Sequence, residues 1–473
     1  MANQELRCDA VIVGGGLAGL TAGIRLRELG RDPIVLEAQE DELYANNTRW
    51  GGGVFHLAFR SVMAPAAELE RRTIDMSKGF VAGDLAHIMA EDCERATHWL
   101  QGHGVEFVSM DPDEGWRDFV LAPLGFHDKP GLHWEGSGSD VMMRRLVGQY
   151  RAANGRLLQG AKAVRLLTDE AGCNGLIAET GAGEVRIEAP AVILADGGFQ
   201  GNLDLLRRFV TPHPDRMLQR GPGVSDGTGI RLAEAAGAEL IGMEYIYAHT
   251  LSADALHNDA LWPFPFLDFV SAAGMMVDTK ARRFVDEGEN FVFLSNGIAH
   301  HDEANPPYAV FDDAIWEEAG RHFFWPPNPN LPEQGGTLHV ADSIAELAAL
   351  AGLPPQTLVE TVGAYNAALA EDTLETLAPA RGNAKEDARP IAKPPFYAAP
   401  ACVGLTHTMG GVRINTDGRA LRADGNAIPG LFAAGDVTGG LEGGPAVAYI
   451  GGLQEALIFG LRTAEAIARA KNT

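Results

Sequence analysis

Four cysteines in 473 residues, Cys8, Cys93, Cys173 and Cys402, stand far apart. Their scatter excludes a CxxC redox pair, a CxxCH haem attachment and an iron–sulfur spacing, so any electron chemistry must come from an organic cofactor. All four read as small buried hydrophobes. Basic residues are scarce too: 38 Lys and Arg stand against 63 Asp and Glu, a formal charge of −25 at pH 7. Nucleic acid and anionic membranes are repelled by such a chain at long range and are not expected as partners. Long apolar runs are also missing. No stretch of about 18 apolar residues escapes a charge or a glycine, and the opening "MANQELR" lacks the basic-then-apolar pattern of a signal peptide. The expectation is a cytoplasmic protein without a membrane span.

What is present belongs to a globular α/β protein: 46% hydrophobic residues exclude a disordered chain, and the length suits two or three domains. "CDAVIVGGGLAGLTAGIRLRELGRDPIVLEA" reads as an apolar strand, then Gly14-x-Gly16-x-x-Gly19, an Ala/Leu/Ile-spaced helix, and a second strand ending at Glu37. Gly14 allows the tight turn, Gly16 lets the backbone approach a pyrophosphate, and Gly19 lets helix and strand pack closely. Glu37 is placed to accept from a ribose hydroxyl. NAD and FAD both satisfy this pattern. The choice falls to "IPGLFAAGDVTGG", where an apolar run precedes Gly435-Asp436, because an acid there can hold the hydroxyls of a ribityl chain. "AVILADGGFQGN" adds another apolar strand ending in small residues.

Together with "NNTRWGGGVFH", "SDGTGIRLAEAAGAELIGMEYIYAH", "GMMVDTKARRFVDE", "PPFYA" and "HTMGGV", these segments resemble the fumarate reductase and succinate dehydrogenase flavoprotein superfamily over nearly the whole chain. The resemblance implies a Rossmann-like FAD-binding domain, discontinuous over 1–247 and 406–473, with an inserted α+β capping domain at 248–405. It implies an FAD site made of Gly14, Gly16, Ala18, Gly19, Glu37, Ala38, Thr48, Gly52, Gly53, Ala163, Val164, Ala195, Gly197, Asp226, Gly435 and Asp436. Where succinate dehydrogenases carry the histidine that links FAD covalently, this chain has Asn46, so FAD is expected to be non-covalent, and His56 reads as a packing or surface residue. Within the capping stretch, rich in proline and aromatics, "SIAELAALAG" and "PQTLVETVGAYNAALA" have helical spacing, with Ser343 as an N-cap.

Carried over residue by residue, the dicarboxylate-binding set is mostly gone. One substrate-facing histidine of the family matches His249 in "MEYIYAHT". The proton-donating arginine falls on Phe291, a second histidine on Thr406 with His407 one place along, and the carboxylate-binding arginine on Tyr449, with Val447 as an alternative match. Fumarate and succinate are therefore not the expected substrates. Tyr449 resembles the 3-ketosteroid dehydrogenase branch, whereas "RFVDEGENF" and Thr406 look more like the tricarballylate dehydrogenase branch. Both implied chemistries add or remove hydrogen across a C–C bond next to a carbonyl or carboxyl group, which favours a ketone, ester or mono-acid here.

Such chemistry needs polar groups on the carbonyl, a base for the α-proton and a hydride partner. Tyr449, His249 and Thr406 are the candidates for polarisation, and Glu289, Glu287, Tyr245 and Tyr247 for proton transfer. Arg282 and Arg283 offer either glutamate an ion pair instead, and His127, His133 and Trp134 are candidates for the far wall of the pocket. "WPFPFLDF" reads as an apolar wall or as domain core. No second dinucleotide motif is seen, so the electron donor or acceptor is expected to be external to this fold. A fumarate reductase-like subunit or electron-transfer module is the competing reading.

Overall fold

The computed structural model describes residues 4–110, 115–124, 134–170, 172–261, 264–303, 305–321, 327–382 and 387–470. His127 and His133 lie outside the described residues. The chain divides into two compact units, Met1–Asn202 with Gly221–Tyr245 and His407–Thr473, and Leu203–Arg220 with Ile246–Thr406. Sequence reading keeps Leu203–Arg220 in the FAD-binding part. It joins the second unit because strand Met217–Gln219 pairs in parallel with Val403–Leu405.

The first unit is built on a six-stranded sheet in the order Arg419–Leu421, Ala427–Ala433, Val192–Leu194, Ala10–Val13, Pro33–Glu37 and Arg156–Gln159. All neighbours are parallel except the first pair. Ala10–Val13, Val192–Leu194 and Pro33–Glu37 are buried along their whole length and apolar up to the terminal Glu37, as strands covered on both faces must be. Register lines up Phe432, Ile193, Ile12, Val35 and Leu157 across the sheet. Helix Leu17–Glu28 carries the chain from Ala10–Val13 to its parallel neighbour Pro33–Glu37. Helix Gly452–Ala470 crosses it at backbone distance: a Cβ on Gly460 would stand 2.7 Å from Ala18 O and 2.9 Å from Thr21 Cβ. The two ends of the chain thus build one layer.

In the second unit the thirteen-residue strand Phe396–Thr408 pairs with Met217–Gln219, Ile246–Ser252, Tyr308–Asp312 and His339–Ala341, and Met275–Val277 adds to Tyr308–Asp312. The two expected helices are Ile344–Ala351 and Pro355–Glu371. Ser343 caps the first: its Oγ accepts from Glu346 N at 3.3 Å and donates to Glu346 Oε2 at 3.0 Å. Glu287, a proton-transfer candidate in the sequence, is 1% exposed and sealed in an ion-pair cluster. It accepts from Arg283 Nε at 3.0 Å and from Met276 N at 3.0 Å, with Arg381 Nη1 at 3.6 Å. Its carboxylate is thus fully engaged within the packing of the second unit. No helix among the described residues is long and apolar enough to cross a membrane, and all four cysteines are free.

Candidate active site

At the end of strand Ala10–Val13, Gly14 turns with φ 105°, and a side chain there would collide with Ala195 O. Helix Leu17–Glu28 starts from Gly16, which has no side chain to cap it; Thr48 Oγ1 accepts from Leu17 N at 3.3 Å, and the positive end of the helix favours an anion beside it. A side chain at Gly19 would strike Gly14 O, so Gly19 serves helix–strand packing and not the cleft wall. The cleft beside this turn, open to solvent, holds about 920 Å³ of free space and is walled by Gly14, Gly16, Ala18, Glu37, Ala38, Thr48, Ala163, Ala195, Gly197, Asp226, Gly435 and Asp436 among others.

Four expected cofactor residues, Gly19, Gly52, Gly53 and Val164, do not wall this cleft. Val164 alternates with Ala163 along a strand and points outward, 37% exposed. Gly19 packs as described, Gly53 faces Leu121 and Ser139, and nothing stands within 4 Å of a side chain built on Gly52. In exchange the wall contains Asn46, Lys162, Asp196 and Ser225, which the sequence reading does not assign to it. Lys162 could be found only through the fold: its Nζ lies 2.6 Å from Asp226 Oδ2.

FAD fits this donor set. Glu37, at the end of its strand, accepts from Gly15 N at 3.3 Å and from Gln39 N at 3.0 Å, and burial raises its pKa. Asn46 Nδ2 and Asp196 Oδ1 are buried without a hydrogen-bond partner among the described residues, as groups awaiting a polar ligand are. Burial pushes Asp196 up to about 7 and also raises Asp436.

Also in the first unit, Tyr449 sits among rings, its centroid 5.4 Å from His56, 5.9 Å from Phe59 and 6.0 Å from His407. His56 is buried and pushed down to about 4 by that burial, and its Nδ1 accepts from Phe59 N at 3.3 Å, so it packs as a neutral ring. Burial also opposes charge on His407, but Asp436 and Glu442 outweigh it and raise the pKa; Nε2 lies 3.1 Å from Glu442 Oε2. Glu442 meanwhile accepts from Ile450 N at 3.0 Å and Gly451 N at 2.9 Å, which ties the glycine-rich loop to His407. No sequence signal marked Glu442. Val447 is buried in this loop with φ 44°. Tyr245 belongs to the same unit, its carbonyl bonded to Met409 N.

The second unit gathers another set. Tyr247 Oη lies 3.2 Å from His249 Nε2, and His249 Nδ1 lies 2.6 Å from Asp268 Oδ2. Asp268 Oδ1 accepts from Thr250 N at 2.7 Å, so the carboxylate is fixed by backbone. Phe266 and Phe291 both stack on the imidazole, at 4.1 and 4.9 Å between centroids. The position of the lost arginine therefore packs on the histidine. Burial pulls His249 below its ordinary pKa, with Arg220 acting in the same sense and Asp268 against it. Thr406 Oγ1 accepts from Arg220 Nη1 at 2.7 Å. Glu289 is half-buried before helix Phe291–His300, its Oε2 3.6 Å from where a Gly382 Cβ would stand. Trp134 stacks on Trp50 in the first unit, 6.4 Å between centroids.

A family model described as an FAD binding domain matches residues 9–447. The chain is similar to the NADH:acrylate oxidoreductase of Vibrio harveyi, 29% identical over 76% of this chain but only 34% of the relative, so it spans about a third of that protein's length. It is 25% identical to the cytochrome-type fumarate reductase of Shewanella frigidimarina over 92% of this chain and 72% of the relative. Among solved structures, 3-ketosteroid-Δ4-(5α)-dehydrogenase from Rhodococcus jostii shares the fold with a TM-score of 0.73 at 21% identity, covering 99% of this chain and 98% of that one. With a cleft suited to FAD and a family model spanning both units, this chain belongs to the FAD-binding flavoprotein family that includes the fumarate reductases.

Proposed function

We propose that this protein adds or removes hydrogen across a C–C bond next to a carbonyl or carboxyl group, using non-covalent FAD. The observation that carries the reading is the hydrogen-bonded series Tyr247, His249, Asp268. Asp268 keeps the proton of neutral His249 on Nδ1, which leaves Nε2 to accept from the tyrosine hydroxyl. In desaturation Tyr247 Oη takes the α-proton while its own proton passes to His249 Nε2. In reduction the same protons travel back and Tyr247 protonates the α-carbon. The chemistry that FAD would supply when held in the cleft is hydride transfer at the β-carbon. Phe266 and Phe291 exclude water from the imidazole, which strengthens each polar contact in the series. Thr406 and Tyr449 remain the proposed polarising hydroxyls, and Glu289 a proposed auxiliary acid.

The names of two relatives denote acrylate and fumarate, both with a C=C bond conjugated to a carboxylate, and this supports the same reaction class here. Electrons would come from or go to a partner outside this fold, and a cytoplasmic setting suits that reading. The test is anaerobic absorbance of the holoprotein: saturated acids and ketones are added to the oxidised form, and acrylate, fumarate and enones to the photoreduced form. Reoxidation by an unsaturated acid or enone, or bleaching by its saturated partner, is expected. A flavin that answers to no member of the panel would overturn the assignment.

A further inference from the structure

Among the described residues of the second-unit set given above, Arg220 is the one arginine, and its setting differs from that of Arg283 and Arg381. Backbone fixes its place, since Arg220 N donates to Leu405 O at 2.7 Å and so extends the pairing of Met217–Gln219 with the long strand. Its stem crosses Gly404, where a Cβ would stand 2.7 Å from Arg220 Cδ and 2.5 Å from Leu251 Cδ1. Only a residue without a side chain admits the arginine there. The guanidinium then lies 4.8 Å from the centroid of Phe266, which also stacks on His249.

Five N–H donors leave this position. Nη1 donates to Thr406 Oγ1, while Nε is buried with no hydrogen-bond partner, and no carboxylate pairs with the group among the described residues. Asp268, the nearby acid, is engaged by His249 and Thr250 N. Arg283 behaves otherwise, donating to Glu287, Pro379 O and Val285 O. Arg220 is half-buried with its Nε buried and unmatched, and a guanidinium with spare donors in such a place is suited to a planar anion.

We propose that Arg220 anchors one carboxylate of the substrate, which makes the natural substrate an α,β-unsaturated mono-acid or its saturated counterpart. The inference rests on the reading of the Tyr247–His249–Asp268 series given above and adds the recognised group. With its charge met by Arg220, the carboxylate stabilises developing negative charge at the α-carbon, where Tyr247 exchanges the proton. Phe266 and Phe291 supply no second cation, so a dianion would leave one charge unmet. Arg220 is not at any of the positions matched to the family's carboxylate ligands, which are His249, Thr406, Phe291 and Tyr449 here.

Fumarate, monomethyl fumarate and dimethyl fumarate present the same double bond with two, one and no negative charges. Each is titrated against the photoreduced holoenzyme in the wild type, in Arg220→Met and in Arg220→Lys, with flavin content and thermal midpoint as folding controls. Succinamate and succinamide are titrated against the oxidised form by perturbation of the flavin band, a binding readout distinct from the bleaching that desaturation would cause. The expected result is a preference of the wild type for the monoester, a KM for it raised on the order of 10²-fold in Arg220→Met, and partial recovery in Arg220→Lys. The diester, which offers Arg220 no charge to meet, should lose far less than the monoester, and succinamate should perturb the wild type, Arg220→Lys weakly, and Arg220→Met not at all. If the diester is reduced as well as the monoester, or if Arg220→Met leaves the monoester KM unchanged, Arg220 is not the anchor although the reaction class stands. If no fumarate derivative reoxidises the flavin while succinamate still binds through Arg220, the reaction class fails and the anion site survives. Loss of both ends the two readings together.

Discussion

His249 lies between two partners that fix opposite nitrogens, Tyr247 Oη at Nε2 and Asp268 Oδ2 at Nδ1. Removing the hydroxyl should remove the proton carrier and little else: Tyr247→Phe is expected to lower single-turnover flavin oxidation by about 10²- to 10⁴-fold with flavin content unchanged. Equal rates in the variant would move the proton-transfer role to Glu289. The pH dependence follows from burial. Because His249 must be neutral to accept a proton and its pKa is held below the ordinary value of about 6.5, desaturation should keep its rate as pH falls through that value and fail only further down. Asp268 acts to raise this pKa, so Asp268→Asn should move the acid limb lower still while reducing kcat, and a limb that shifts upward would contradict the assignment. Tyr247, His249 and Thr406 could be picked out in sequence because they sit in motif segments. Asp268 and Arg220 could not, since their partners are set by chain reversals and no local pattern records them.

Short elements hold these groups in place. Strand Phe396–Thr408 pairs with the strand ending just before Arg220 and with the strand bearing Tyr247 and His249, and Thr406 lies near its own end. Glycines marked the tight approaches in sequence: Gly14 and Gly19 could be assigned from spacing, whereas the reason for Gly404 needed the neighbouring arginine. The cluster Arg283, Glu287 and Arg381 clips the loop after strand Met275–Val277 to Met276 N. Arg283→Met strips Glu287 of its main partner inside the protein, and urea unfolding should report a loss of about 3–5 kcal/mol. Arg283→Met with Glu287→Leu should recover only part of that, because the buried Arg381 is then left on the carbonyls of Gly274 and Ala272 without a carboxylate. A single variant as stable as the wild type would show that Arg381 alone satisfies Glu287. Glu287 was legible as a motif acid but not as a sealed one, since burial is a property of the surrounding packing.

For the molecule as a whole, the FAD cleft draws on residues from Gly14 to Ala456, so cofactor binding and folding are linked. Flavin-stripped protein should gain stability with added FAD, about 2.7 kcal/mol at a hundred times Kd, and the melting midpoint should climb with concentration. Acid precipitation should release all the yellow colour, because Asn46 in the cleft wall offers no nucleophile for a covalent link; colour retained in the pellet would overturn non-covalent binding. The amino-acid sequence by itself determined the parallel FAD-binding half, for a physical reason: glycine turns, apolar strands and terminal acids are local requirements, written where the chain must make them. It also carried the expectation that the dicarboxylate ligands of the family are mostly replaced. Only the tertiary structure decided that Leu203–Arg220 pairs with the long strand of the second unit, that Phe291 stacks on His249, and that a lone guanidinium stands beside Thr406. Those facts depend on which distant strands hydrogen-bond and what they bury between them, and no stretch of sequence contains that information alone.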